Sequence, residues 1–176
     1  MTPAPARTSV QGAVVFTDLV GFTEYTAIQG DDAAVDLLST PEEIVQRRLP
    51  DGARIVKELG DGLMLWFPDP CVAIEACLAL LDEYEEVSDE TLIPLWVRMG
   101  MHWGAQTVSR DDLIGHDVNL ASRISDLADA GELMVSQATV EAAREAGASL
   151  DFDDMGPTLV KGIPDPVHIF RAVRDF

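Results

Sequence analysis

The stretch 14–23 constrains the fold more than any other part of the chain, because it leads an apolar run directly into a carboxylate and a glycine. It starts with Val-Val-Phe, which predicts a strand buried on both faces. Asp18 follows at the end of this strand, and a turn before a helix is predicted at Gly21, Phe22 and Thr23. Backbone N–H groups in such a turn attract an anion, and a neighbouring carboxylate can bind a cation. The stretch therefore predicts a site for a metal-bound polyphosphate.

A second carboxylate, Asp61, stands in a predicted hairpin. Taken alone, Asp18 is better explained as the N-cap of the helix that follows it. Residues 57–62 read Lys-Glu-Leu-Gly-Asp-Gly between the apolar runs 53–56 and 63–67, which places Asp61 at the tip of a hairpin. Two carboxylates at neighbouring strand ends suit paired Mg²⁺ or Mn²⁺ ions, because hard cations take oxygen ligands. The pair therefore predicts a two-metal site for phosphoryl transfer.

The acidic composition excludes several classes of partner. The 176 residues include 31 acidic and 12 basic side chains, and the formal charge of -19 repels nucleic acid and anionic membrane surfaces. No run approaches the roughly 20 apolar residues that span a bilayer, and the first residues lack a signal-peptide pattern. We therefore expect a cytoplasmic protein without nucleic-acid binding or membrane insertion. We also expect one domain over residues 12–176, after a flexible lead-in at residues 1–11.

Hydrophobic periodicity predicts an α+β fold. Strands and helices alternate, and the first half follows the ferredoxin-like βαββαβ order. We expect one sheet with the helices packed on one side of it, and Asp117 as the N-cap of the helix that it begins. The predicted strands are 14–16, 53–56, 63–67, 92–103, 105–108, 132–135 and 167–173, and the predicted helices are 23–29, 31–49, 70–87, 117–128 and 136–145.

Two polar side chains of the predicted helix 117–128 are candidates for substrate contacts. Asn119 and Arg123 are four residues apart, so both leave the helix on one face and can reach one ligand. An amide can orient a ribose oxygen, and a guanidinium can stabilise charge that develops on a phosphoryl oxygen. Taken alone, the two residues are better explained as a surface pair on a helix.

Three blocks of the chain together resemble the class III nucleotidyl cyclases. Residues 16–23 are similar to the first metal motif of that family, residues 57–61 to its second, and residues 112–123 to its third block. Each block alone is a weak signal, but three in the right order are specific. The resemblance covers most of the chain and implies the catalytic fold of that family.

The resemblance implies roles for individual residues. Asp18 and Asp61 are implied as ligands of two Mg²⁺ or Mn²⁺ ions in each active site. Asn119 and Arg123 are implied as transition-state residues. The implied substrate contacts are Lys57 and Asp112 with adenine and Lys161 with the terminal phosphates. An exposed lysine before a glycine turn is common, so this last residue also has a plain structural explanation.

The activity implied by the resemblance is that of an adenylate cyclase. Such an enzyme converts ATP into 3′,5′-cyclic AMP and pyrophosphate, at active sites that two chains of a homodimer share. Lys57 and Asp112 favour adenine, because its ring nitrogen accepts from an ammonium and its amino group donates to a carboxylate. The alternatives are a guanylate cyclase and a catalytically silent nucleotide-binding or dimerisation module.

Two features depart from the usual pattern of the family. Trp103 stands where a small polar residue is more common, and we expect it to alter packing near the partner chain. Residues 105–111 resemble the shortened dimerisation arm of some bacterial members, which predicts a weak or nucleotide-dependent dimer. His102, His116 and His168 lack the spacing of a zinc site, and the sequence gives them no chemical role.

Overall fold

Secondary structure fills most of the chain in the computed structural model, which describes residues 1–4 and 7–174. The strands are β1 (Ser9–Leu19), β2 (Arg54–Leu59), β3 (Gly62–Phe67), β4 (Val97–Ser109), β5 (Asp112–Ile114), β6 (Leu133–Ser136), β7 (Phe152–Thr158) and β8 (Val167–Ala172). The helices are α1 (Phe22–Gln29), α2 (Asp31–Arg48), α3 (Pro70–Thr91), α4 (His116–Ser125) and α5 (Gln137–Glu145). Within the described residues, no helix combines the length and the apolar character of a membrane span.

The strands form one mixed sheet with β1 and β4 at its centre. The order across the sheet is β2-β3-β1-β4-β6-β8-β7, and β5 pairs with the end of β4. β1 is antiparallel to both of its neighbours, whereas β4 and β6 are parallel. Val14, Val15 and Phe16 of β1 are buried, as a strand covered on both faces requires. The α+β class and the burial of this strand on both faces are therefore as predicted.

Helices cover both faces of the sheet, so the expectation that they lie on one side is wrong. α2, α3 and α5 pack over the face that carries Val15. α4 packs over the opposite face, where Val118 and Ala121 contact Val14 and Phe16. Periodicity in a sequence shows which face of a helix is buried, but not on which side of the sheet that helix lies.

β4 is one continuous strand where the sequence predicted two. It begins at Val97 rather than at residue 92, because Leu92 ends α3 in a left-handed conformation with φ 61°. It also runs straight through Gly104, which lies between the two predicted strands. Every residue of β1 pairs with this strand, so the two long strands hold the middle of the sheet together.

The start of β1 and the strand β7 also differ from the prediction. β1 starts at Ser9, so residues 9–11 of the expected lead-in belong to the sheet. Pro5 and Ala6, from the same lead-in, lie outside the described residues. β7 is an edge strand that the sequence did not predict, because it contains Asp, Gly and Pro, which are rare in strands. A register shift within its pairing to β8 accommodates them.

α4 starts at His116, one residue before the predicted cap. Asp117 does not cap this helix, because its Oδ2 accepts a hydrogen bond from the backbone N–H of Ala105 in β4 at 2.8 Å. Gly115 takes the N-cap position instead, and the helix ends at Ser125 rather than at residue 128. The start of α4 is thus attached to the central sheet.

Trp103 is half-buried and packs against the core of its own chain. Its backbone N–H donates to Thr139 Oγ1 at 3.0 Å, which links β4 to α5. The segment 105–111 completes β4 and then turns at Arg110 and Asp111 into β5. What the tryptophan and this short hairpin contribute to a dimer stays a prediction.

Candidate active site

The two predicted metal ligands lie together at one end of the central strands. Asp18, near the end of β1, pairs across the sheet with Gly62 of β3 and with Arg98 of β4. A side chain at Gly62 would overlap the carbonyl oxygen of Thr17, so glycine lets the β2–β3 hairpin approach β1. Asp61 in the hairpin turn then lies beside the Asp18 carboxylate, and both residues line one cavity. The strand ends therefore assemble the carboxylate pair.

Arg98 is the counter-ion of this pair. Its Nη2 and Nε donate to Asp18 Oδ2 at 2.7 and 3.1 Å. Both bonds end on the same oxygen, which leaves Oδ1 clear of the guanidinium. The alternation along β4 puts this arginine on the face opposite the buried residues of the strand, but the sequence does not show its partner. The sequence prediction therefore missed this residue.

Asp61 lies beside Asp18 and has a raised pKa. This pKa is raised from 3.8 to about 6, first by burial and then by the adjacent carboxylate of Asp18. A hydrogen bond from the backbone of Asp61 and the charge of Arg98 act in the opposite direction, but only in part. The pair therefore favours the binding of an additional cation. A cavity of about 250 Å³ beside the carboxylates provides the space, and its wall includes Val35 and Leu38 of α2.

The predicted anion-binding turn connects Asp18 to α1. Gly21 is left-handed with φ 78°, a conformation that favours glycine, and it precedes the first helical residue, Phe22. No side chain of the described residues caps this helix. The backbone N–H groups around Phe22 and the exposed Thr23 are thus available to an anion. The backbone N–H of Val20 donates to the carbonyl of Trp96 at 2.7 Å, which attaches the turn to the sheet.

Lys57 and Asp112 form an ion pair across two strands. Lys57 Nζ lies 2.9 Å from Asp112 Oδ2, although 55 residues separate them in the chain. This hydrogen bond is the main cause that lowers the pKa of Asp112, and a further bond from the backbone of Leu113 acts in the same direction. About two fifths of each side chain is exposed, 40% and 38% respectively, so a ligand can reach both. The structure therefore brings these two predicted residues together.

Asn119 and Arg123 share a second cavity with Lys161. This cavity measures about 360 Å³, and His116 and Ser122 also line it. The side chains come from one face of α4 and from the turn before β8. Lys161, 38 residues beyond Arg123 in the chain, thus joins the predicted pair. The two cationic side chains make this a basic cavity suited to phosphate oxygens.

The carboxylate pair and the Asn119–Arg123 pair line different cavities of the chain. Asp126 lies between them, with Oδ1 3.7 Å from Arg98 Nη2 and Oδ2 3.8 Å from Arg123 Nη1. The structure therefore assembles each predicted group locally but does not combine the two groups in one cavity.

Comparison with known proteins identifies the family of the chain. A family model described as the adenylate and guanylate cyclase catalytic domain matches residues 5–171. The chain belongs to the class III nucleotidyl cyclase family. Its fold resembles the crystal structure of the adenylyl cyclase CyaB from P. aeruginosa, with a TM-score of 0.84 and 26% identity over 97% of each chain. The predicted family and the α+β cyclase fold are both confirmed.

Two curated relatives of this cyclase domain are longer proteins. The pH-sensitive adenylate cyclase MT1302 of Mycobacterium tuberculosis is 29% identical over 98% of this chain and 42% of its own length. An adenylate cyclase of Streptomyces coelicolor is 35% identical over 78% of this chain and 36% of its own length. The chain thus spans about two fifths of the length of these relatives.

The carboxylates of the cyclase domain fit the divalent cations that its family implies. No group of three or more His, Cys, Asp or Glu side chains that could hold an ion occurs in residues 1–4 and 7–174. Mg²⁺ is usually held by one or two carboxylates together with phosphate oxygens of the substrate, rather than by a complete protein cage. Asp18 and Asp61 offer oxygen ligands of this kind, and their mutual repulsion decreases when a cation binds.

Proposed function

We propose that this cyclase domain converts ATP into 3′,5′-cyclic AMP and pyrophosphate. The ribose 3′-hydroxyl oxygen attacks the α-phosphorus, the bond from that phosphorus to the β-phosphate oxygen breaks, and the hydroxyl proton leaves to water or to a substrate oxygen. The observation that carries the choice of ATP is the Lys57–Asp112 ion pair at 2.9 Å.

The ion pair offers the two groups that distinguish adenine from guanine. The Lys57 ammonium can donate to the ring nitrogen of adenine, and the Asp112 carboxylate can accept from its amino group. Guanine presents a ring N–H and a carbonyl oxygen at the same edge, so both contacts would be mismatched. The Asp112 carboxylate is an ionised acceptor at neutral pH, and the lowered pKa of this residue favours the same form.

The remaining residues act on the phosphates and the ribose. Asp18 and Asp61 would hold two Mg²⁺ or Mn²⁺ ions, which supply charge neutralisation and a more acidic ribose hydroxyl when they are bound. The first-turn N–H groups of α1 are suited to the phosphate chain. Asn119 orients the ribose, and Arg123 stabilises negative charge that develops at the α-phosphorus. Lys161 lines the same cavity and neutralises the terminal phosphates.

The proposed active site lies between two copies of the chain. One copy supplies Asp18 and Asp61, and the other supplies the adenine-reading pair together with Asn119 and Arg123. The separation of these groups into different cavities of a single chain supports this arrangement. The eight residues of α1 also include no buried side chain, and Ile28 on this helix is 78% exposed. We infer a homodimer with two equivalent sites.

Cyclic AMP formation by the purified chain with ATP and Mn²⁺ tests the proposed reaction. We expect turnover in the wild type and almost none in Asp18→Asn, a substitution that keeps the size of the side chain but removes its charge. Asp51→Asn, in an exposed turn, is the matched control and should retain activity. Absence of cyclic AMP in the wild type, with nucleotide binding intact, would instead favour the catalytically silent module.

Mixing two inactive variants tests the shared site. Asp18→Ala and Arg123→Ala damage different halves, so a mixed dimer has one intact site and one doubly damaged site. Equal random mixing makes half of the dimers mixed, which predicts about a quarter of wild-type activity. Two affinity tags, one on each variant, confirm that mixed dimers form. Mixed dimers that stay inactive would show that each chain builds its site alone.

A further inference from the structure

Two glycines of β4 allow α4 to lie directly on the sheet. A Cβ at Gly100 would overlap the backbone nitrogen of Ser125, at the end of α4. A Cβ at Gly104 would overlap the carboxylate of Asp117, at the start of α4. The helix therefore contacts the strand closely at both of its ends. This contact fixes the distance of α4 from the sheet, but not its rotation about its own axis.

His102 lies between these glycines and faces the same helix. Its side chain is buried, with 7% of the residue exposed, and its Nε2 lies 3.3 Å from Asp117 Oδ1. The other oxygen of that carboxylate accepts from the backbone N–H of Ala105 at 2.8 Å. His102 and Ala105 of β4 thus contact the two oxygens of the Asp117 carboxylate. These two contacts fix the side of α4 that faces the sheet.

The remaining nitrogen of His102 ends a chain of buried hydrogen bonds. Nδ1 lies 2.6 Å from Ser136 Oγ, which lies 3.0 Å from Thr139 Oγ1. Thr139 Oγ1 in turn accepts from the backbone N–H of Trp103 at 3.0 Å. Each hydroxyl can donate or accept, so the direction of these bonds follows the tautomer of His102.

The carboxylate of Asp117 assigns the tautomer of His102. An ionised carboxylate can only accept, so Nε2, which faces Asp117, carries the proton, and Nδ1 accepts from Ser136. Burial lowers the pKa of His102, and Asp117 opposes this effect. In this neutral form, Nε2 faces Asp117 as a donor and Nδ1 accepts from the Ser136 hydroxyl.

The orientation of α4 decides where the transition-state residues point. Asp117 and Asn119 lie about 200° apart around the helix, so the first faces the sheet and the second faces the cavity. A rotation of about 10° would move a group about 6 Å from the helix axis by about 1 Å. A displacement of about 1 Å can cost on the order of 100-fold in rate. The contacts that fix the position of Asp117 therefore also fix the positions of Asn119 and Arg123.

We propose that His102 is a positioning residue that sets, through Asp117, the rotation of α4 and thereby the placement of Asn119 and Arg123. The imidazole itself contacts neither the proposed substrate nor the proposed metal ions. The effect on turnover rests on the proposed cyclase function, whereas the effect on α4 does not. The two can therefore be tested separately.

Two substitutions of His102 test the catalytic consequence. His102→Leu removes the donor to Asp117, and we expect kcat to fall by about tenfold to 100-fold while KM for ATP stays within about threefold. His102→Gln retains an N–H that can reach Asp117, and should recover most of that loss. His168→Leu is the matched control, because His168 also contacts a carboxylate, Asp154 at 2.5 Å, but on the edge strands. Equal kcat values in the wild type and in His102→Leu, or equal losses in both His102 variants, would overturn the proposal.

Amide hydrogen exchange tests the same proposal without turnover. We expect His102→Leu to accelerate exchange in residues 116–125 of α4, while the protection of α2 stays as in the wild type. His102→Gln should restore the protection of α4. A wild-type protein without cyclase activity would refute the proposed function, and the exchange data would still decide whether His102 holds α4. Unchanged protection of α4 in His102→Leu would refute the positioning role.

Discussion

Asp61→Asn should stabilise the metal-free protein above about pH 6, because it removes a carboxylate whose ionised form is disfavoured in the folded state. The pKa of Asp61 is raised from 3.8 to about 6, first by burial and then by Asp18. A raised pKa means that the folded state holds the proton more tightly than the unfolded chain. This contribution to stability is complete below pH 3.8 and is lost as the pH rises through about 6. The neutral Asn side chain has no such loss.

The magnitude follows from the size of this shift. About two pH units correspond to about 3 kcal/mol, and solvent screening at this partly exposed position reduces the value to about 1 kcal/mol. For a chain of this length, that difference raises the unfolding midpoint by about 2–4 °C. The difference between variant and wild type should therefore be present at pH 8 and shrink as the pH falls toward 5.

Thermal unfolding in the presence of a chelator measures this difference, with Asp51→Asn as the control for a change of charge alone. Replacing the chelator with excess Mn²⁺ should reverse the order, because the wild type gains about 2.7 kcal/mol at 100 times the dissociation constant and Asp61→Asn gains much less. Equal midpoints of Asp61→Asn and the wild type at pH 8, or a difference independent of pH, would refute the argument that the two carboxylates repel each other.

The other predictions concern the remaining groups of the site. Asn119→Ala and Arg123→Ala should each lower kcat at least about tenfold with little change in KM, and a rise in KM alone would make them ordinary binding residues. Combining Lys57→Ala with Asp112→Ala should narrow the preference for ATP over GTP, and preserved discrimination would show that other residues read the purine. Arg98→Met should lower the stability of the metal-free protein by about 1 kcal/mol at pH 8, and Mn²⁺ should restore most of this loss in thermal unfolding. A loss that Mn²⁺ leaves unchanged would show that the arginine is not a counter-ion of the carboxylates.

Local sequence signals predicted the parts of the site that are close in the chain. The strand before Asp18 and the hairpin around Asp61 carry their own propensity and turn signals, so both elements and their carboxylates could be placed. The spacing of Asn119 and Arg123 likewise fixed their common face before any tertiary contact was considered. Lys57 was matched with Asp112 only by resemblance to a family, because no local rule connects two distant strands.

Contacts that depend on tertiary structure could not be predicted in the same way. Arg98 was missed because its partner is set by the register between β1 and β4. Gly104 fell between two predicted strands, but in the fold it belongs to one strand and leaves room for the carboxylate of Asp117. The same contact explains why Asp117 was mistaken for a helix cap, since its oxygens face β4 instead. These residues act between elements, and the sequence pattern describes each element alone.

A competition assay with equal concentrations of ATP and GTP tests the central claim most directly. The purified wild-type chain is supplied with both nucleotides and Mn²⁺ in one reaction, and cyclic AMP and cyclic GMP are quantified together with pyrophosphate. The ratio of the two products gives the ratio of kcat/KM for the two substrates without separate titrations. We predict that cyclic AMP exceeds cyclic GMP by at least about tenfold, and that a chelator abolishes both products. Equal products, or an excess of cyclic GMP, would contradict the assignment of the Lys57–Asp112 pair to adenine and with it the proposed adenylate cyclase.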